Sequence, residues 1–354
     1  MIKNKFAAFL AGLALTTMAM ADTVTLRENH PDTYVVKKGD TLWDISGKFL
    51  RKPWHWPKIW QVNPQVKDPH WIYPGDVLNI VYENGNGRVR LSPSVRSSAD
   101  DEGIPTVRLE DILPFLSADY VFPSVQDIDS LPYVLGDNFN RKSMADVQGI
   151  YVKGALTPGE QYAIYSTPKE FKDPDTGNVL GYRAVLSGVI VANKVMEGNV
   201  TECTLIKSVK EINQGEKVVP VAKISGYDAY FPMKPAKVSG NVYVLDNVIG
   251  SRYVGKLQTV VISAGKTRGV SNGDVFTITR DGVKISDVSG SVSYVNGGTA
   301  SDRLISAMSE HSSLPDLEIG HAMVFKTYDN LSLALVMDSS DLIPLGAKLV
   351  NADE

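Results

Sequence analysis

All five tryptophans of this 354-residue chain, Trp43, Trp54, Trp56, Trp60 and Trp71, fall between positions 43 and 71. Indole rings are the side chains a protein sets against the apolar face of a sugar, and the ring N–H adds a donor at the edge. A small domain with little core also fills itself with large rings, and that reading suits Trp43, Trp56 and Trp60. Trp54 and Trp71 stand in proline-flanked loop sequence and are the candidates for sugar stacking. Other chemistry is thinly represented. The five histidines, His30, His55, His70, His311 and His321, include no closely spaced pair of the kind a zinc site needs. Cys203 lies among β-branched residues in NVTECTLIKSV and reads as a buried strand residue. No G-x-S-x-G nucleophile motif is present. The glycine clusters at Gly85-Asn86-Gly87 and Gly297-Gly298 lack the following helix of a phosphate loop and read as turns. In DPDTGN at 173–178 a glycine, Gly177, takes the place of the third ligand a calcium loop would need, so the stretch reads as a hairpin turn. No catalytic residue, metal or cofactor is assigned. A glycosidase needs only two carboxylates, which no motif marks, so that class stays open.

The tryptophans need elements to position them, and the local pattern supplies four. Tyr34 to Lys37 is a short strand, and Gly39 permits the sharp turn after it. Thr41 and Asp44 have the spacing of a capping box, and Leu42, Ile45 and Phe49 form the apolar face of the helix that follows. A second helix is predicted from Trp56-Pro57, with Trp56, Ile59, Trp60 and Asn63 on one face and Pro64 ending it. Pro74-Gly75-Asp76 then turns into a strand at Val77 to Ile80, giving two short helices on a two-stranded sheet.

Together these residues, Gly39-Asp40-Thr41-Leu42, Asn63-Pro64 and Pro74-Gly75-Asp76 in a β-α-α-β frame over 34–82, resemble a LysM module. The resemblance implies binding to peptidoglycan, with the glycan in a shallow groove between the loop after the first strand and the loop before the last. Residue by residue it points to Gly39, Asp40, Thr41 and Leu42 on one wall and to Asn63, Ile72, Tyr73 and Pro74 on the other, backbone amides meeting the N-acetyl groups. The tract KFLRKPWHWPKIW departs from the usual module in carrying extra prolines and tryptophans. Seven Lys and Arg against four Asp give the stretch a net +3, a weak and salt-dependent attraction for stem-peptide carboxylates.

Residues 1–21 carry Lys3 and Lys5, an apolar run and Ala19-Met20-Ala21, the three parts of a signal peptide cleaved after Ala21. Removing them changes the net charge from −4 to −6, a balance that does not suggest nucleic acid. No later run is long enough to span a bilayer, so no transmembrane anchor is expected after cleavage. Residues 83–105 read as a linker, and 106–149 as an irregular connecting segment. From 150 onward short β-branched runs alternate with Gly, Asn and Asp turns. The stretch 150–166 matches 260–279 in outline, and that from Gly181 matches that from Gly320. This predicts a tandem repeat of small β domains at 150–222 and 257–350, joined by 223–256, the second with an insertion at 281–319 where SDRLISAMSEHSS would form a surface helix. The fold class expected is multi-domain α+β, a β-α-α-β module followed by a mostly-β region. The function expected is periplasmic, non-catalytic binding of peptidoglycan glycan strands, with the β region as a scaffold or a docking surface for an envelope protein. The alternatives are a wall hydrolase of unrecognised type and a protein-interaction module that has lost glycan binding.

Overall fold

A computed structural model describes residues 24–60, 72–83, 86–91, 104–108, 119–139, 141, 143–144, 149–221, 232–247, 251–288, 291–294 and 311–353. The expected signal segment, Asn63 and Trp71 lie outside the described residues.

The front of the chain folds as the β-α-α-β unit. Strand β1 (Thr33–Val35) pairs antiparallel with β2 (Val77–Glu83). Helix α1 (Leu42–Phe49) starts at Thr41, whose Oγ accepts the Asp44 N–H at 3.1 Å while its hydroxyl donates to the Asp44 carboxylate at 2.8 Å. Leu42, Ile45 and Phe49 are buried, so the helix packs inward on the predicted face. Helix α2 (Trp56–Trp60) follows a 3-10 turn at Pro53–His55. The sheet has three strands, not two. Strand β3 (Asn86–Leu91) pairs along β2 from Glu83↔Asn86 to Leu78↔Leu91. The Asn-Gly composition that reads as linker in 83–105 is also hairpin chemistry, and here the chain doubles back through it.

Behind the module stand two closed barrels. The first uses β5 (Tyr133–Gly136), β7 (Ile150–Lys153), β8 (Gln161–Tyr165), β10 (Val179–Met196), β11 (Val200–Ser208) and β13 (Lys217–Pro220). The backbone pairings run β5-β7-β11-β10-β8-β13 and return to β5. Strands β4 (Asp119–Phe122) and β9 (Lys169–Lys172) extend the first half of β10, with α3 (Val125–Asp129) following β4. A minor pair, β6 (Ser143–Met144) and β12 (Ile212–Asn213), lies beside them. The DPDTGN stretch is a turn between β9 and β10, closed by Gly177 N–H to the Asp173 carbonyl at 2.9 Å.

The second barrel uses β15 (Val242–Asn247), β17 (Thr259–Ile262), β18 (Asp274–Arg280), β22 (Leu317–Thr327), β23 (Ser332–Ser339) and β25 (Lys348–Asn351). Its pairings run β15-β17-β23-β22-β18-β25 and return to β15. Strand for strand this is the order of the first ring, and the two stretches matched in outline fall on equivalent strands, β7–β8 with β17–β18 and β10 with β22. Strand β14 (Lys234–Pro235) adds in parallel to β18, and β16 (Tyr253–Val254) pairs with β24 (Ile343–Pro344). Each ring takes in one strand more than the expected divisions at 150–222 and 257–350. The extra strands, β5 and β15, were hidden in the expected connecting segments 106–149 and 223–256, because each is a single short run set off by turns from its next neighbour. The insertion forms a three-stranded sheet of β19 (Lys284–Val288), β20 (Ser291–Tyr294) and β21 (His311–Ser313). Its expected helix is corrected at 311–313, which pair with β19; residues 301–310 lie outside the described residues.

Period-two alternation decides where the cores sit. Inside the second barrel are Val260, Ile262, Phe276, Ile278, Ala322, Val324, Ala334 and Val336. The intervening residues, Val261, Val275, Met323, Phe325, Leu333, Leu335 and Met337, point outward yet are also buried, in one apolar cluster with Leu42, Trp43, Phe49 and Trp54 of the module and Val121 and Phe171 beside the first barrel. The module is thus seated on the outside of the second barrel.

Candidate functional site

Two turns set side by side form the rim of the module. In the first, the Asp40 carboxylate accepts the Lys37 N–H at 2.8 Å and the Tyr34 hydroxyl at 2.9 Å. Burial and that bond to Asp40 push the Tyr34 phenol up to about 12. Gly39 has φ +91 with open space around it, so the backbone conformation, not crowding, requires glycine there. In the second turn the Asp76 carboxylate accepts the Tyr73 N–H at 3.0 Å. Backbone bonds from Gly75 N–H to the Val36 carbonyl (2.8 Å) and from Val36 N–H to the Asp76 carbonyl (2.9 Å) tie the turns together. Gly39, Pro74 and Gly75 are exposed, and Asp40 and Tyr73 half-buried. Thr41, Leu42 and Ile72 are buried beneath them.

The sequence reading places Thr41 and Leu42 on a glycan-facing wall, but the structure gives their surroundings to the protein itself. The first N–H groups of a helix have no partner within it. Here the Leu42 N–H donates to the Pro105 carbonyl at 2.8 Å and the Trp43 N–H to the Thr106 carbonyl at 3.3 Å. On the opposite wall the Ile104 N–H donates to the Ile72 carbonyl at 2.8 Å. Residues 104–107 therefore bridge both walls, with Ile104, Thr106 and Val107 buried. This stretch spans the end of the expected linker, and only its small apolar I-P-T-V motif after a polar run hinted at burial.

Trp54 is the second correction among the expected sugar contacts. It is 2% exposed, and its indole N–H donates to the Asp353 carboxylate at 3.0 Å. Its ring lies 6.2 Å from Trp43 and 4.8 Å from His321 on β22. Trp43 and Trp56 are buried, as the core-filling reading expects. Lys52 Nζ (3.0 Å) and His55 Nε2 (3.1 Å) converge on the same Asp353 oxygen. Burial works to raise the Asp353 carboxyl, but the hydrogen bonds from Trp54, Lys52 and His55 prevail and hold it well below the usual carboxylate range. Asp353 is the residue sequence reasoning missed, since nothing local links it to a tryptophan 299 positions earlier.

Cys203 is fully buried inside the first barrel, and burial pushes its thiol up to about 12. No group of three metal-ligating side chains is found among the described residues. No helix among them is long and apolar enough to cross a membrane.

A compact β-α-α-β unit with paired turns at one rim defines a small binding module. Comparison makes the class specific, because the LysM domain family matches residues 34–81. A protein of Bacillus subtilis (strain 168) named "Uncharacterized protein YqbP" is 48% identical over 63 residues, covering 15% of this chain and 29% of that protein. The chain thus spans about 29% of the length of that relative. Residues 34–81 are a LysM domain, a carbohydrate-binding and not a catalytic module.

Proposed function

We propose that the protein is exported to the periplasm and holds peptidoglycan glycan strands without cleaving them, through the LysM domain, while the two barrels act as a scaffold or as a docking surface for an envelope partner. The observation that carries this reading is the LysM match over turns whose rim, Gly39, Asp40, Tyr73 and Pro74, reaches solvent. Asn63 completes the proposed contact set. With the Tyr73 N–H held by Asp76 and the Asp40 N–H by the Lys37 carbonyl, the rim offers a neutral sugar the Gly39 backbone and the half-buried Tyr73 ring, a modest set of contacts whose affinity grows with the number of sugar rings engaged. The intramolecular seat of Trp54 against Asp353 favours a second reading, in which the module serves mainly to bind the barrels.

Sedimentation with purified, protein-free sacculi separates these. The protein at high concentration is expected to co-sediment, and replacing Tyr73 and Pro74 together by Ala is expected to reduce retention several-fold. Equal retention of both proteins, or none, would sink the glycan reading. Soluble fragments released from the sacculi would show a hydrolase.

A further inference from the structure

We propose that residues 104–107 are a built-in occupant of the LysM groove, and that glycan must displace them to bind. The inference rests on the glycan-binding reading above and adds a level of control to it. Three backbone bonds carry the argument. Carbonyls of Pro105 and Thr106 sit on the N–H groups of Leu42 and Trp43, and the Ile104 N–H sits on the carbonyl of Ile72. The first wall is the start of α1 and the second the loop before β2, so one tetrapeptide, bent at Thr106 and Val107, satisfies polar groups of both. Amide carbonyls and an N–H are what an N-acetylated sugar would present to the same groups, so segment and sugar offer equivalent hydrogen bonds and cannot occupy them together.

Side chains fix the segment in place. Ile104 and Val107 belong to the apolar cluster shared by the module and the outer face of the second barrel. Val107 and Arg108 also border a cavity of about 150 Å³ lined by Thr41, Trp43, Leu257 and Met337. The occupant is therefore anchored on the barrel side of the groove. The exposed rim at Gly39, Pro74 and Gly75 stays free for a first, partial contact. A site available for only 1–10% of the time binds about 10- to 100-fold more weakly than the open site.

Two measurements test this, both on the full chain. In the first, binding of a soluble N-acetylglucosamine oligomer is compared between the protein and the double variant I104D/V107D, whose carboxylates cannot stay in the apolar cluster. Circular dichroism checks that the barrels remain folded. The variant is expected to bind about tenfold tighter or more. The second uses the unaltered protein, so it does not depend on the variant folding: amide hydrogen exchange is followed with and without the oligomer. Glycan is expected to speed exchange at Ile104, which loses Ile72, while Leu42 and Trp43 stay protected because sugar replaces Pro105 and Thr106. If the unaltered protein binds and Ile104 keeps its protection, or a folded variant binds no tighter, the occupant idea is wrong and the glycan reading stands. If neither protein binds the oligomer, the glycan reading itself fails, and the inference with it.

Discussion

The two barrels share a strand order but not a surface. In the first, β7 alternates buried and half-buried residues, and the β10–β11 hairpin leaves Val195 and Met196 exposed beside its turn and Ile206 exposed toward the end of β11. In the second, the first six residues of both β18 and β23 are buried without interruption. An antiparallel sheet with one wet face shows alternation, and a continuous apolar run marks burial on both faces. The same ring thus serves once as a barrel covered over a local patch, where Phe122 and Ile128 pack on Ala163, Tyr165 and Val219, and once as a foundation, because the LysM domain and the flank of the first barrel cover its outside. Topology sets the pairings, and the company a barrel keeps sets its composition.

The largest expected effect falls on outward-facing residues of the second barrel. Phe325→Ala, at a site 1% exposed but outside the ring, is expected to cost about 3–5 kcal/mol in denaturant unfolding. Trp54→Ala should cost a similar amount, about 3–5 kcal/mol, and should free the module from the barrel, seen as new proteolytic cleavage between them. If either costs no more than a surface change, the foundation view is broken. A smaller effect, about 1–3 kcal/mol, is expected for Asp353→Asn at neutral pH. The sign of its pH dependence follows from the depressed carboxyl. The native contribution is complete above the unfolded value near 4 and fades as pH falls below it, so the native protein should lose more stability in that window than the variant, which keeps only the acid loss of the remaining carboxylates such as Asp175 and Asp341. Thr41→Ala removes the cap of α1 and should cost about 1 kcal/mol in thermal unfolding. Ile206→Ala, on the exposed side of the first barrel, should stay within about 0.5 kcal/mol of the native protein. The interior of that same barrel sharpens the contrast, since thiol reagents at mildly alkaline pH should leave Cys203 unlabelled until the protein unfolds.

What could be read in advance was whatever the chain decides locally. Gly39, the Thr41–Asp44 cap and Pro74-Gly75-Asp76 fix their turns within a few residues, and so the module was legible with its rim. The matched stretches at 150–166 and 260–279 gave two strands of each ring. Ring closure was not legible, because β5 meets β13 and β15 meets β25 only through pairings across some eighty to over a hundred residues, which no local pattern encodes. The candidate site failed for the same reason at particular residues. Prolines around Trp54 read as loop, and loops are ordinarily wet, but Asp353 and His321 turn that indole inward. Ile104 to Val107 read as the end of a linker because the partners that bury them lie in the module and in the second barrel.

Each ring is closed by its first and last strands, with Val242 paired to Leu349 and Tyr133 to Lys217. This sets an order of events in time. A chain made from its N-terminus presents the LysM domain early, but the surface it seats on does not exist until β25 has emerged and paired with both β15 and β18. Long-range closure of this kind is slow, and until it is complete Trp54, Leu42 and Trp43 have no barrel to face. For that interval the newly made protein is a loose sugar-binding head with a sticky flank, and the arrival of Asp353 marks the moment at which it becomes a single body.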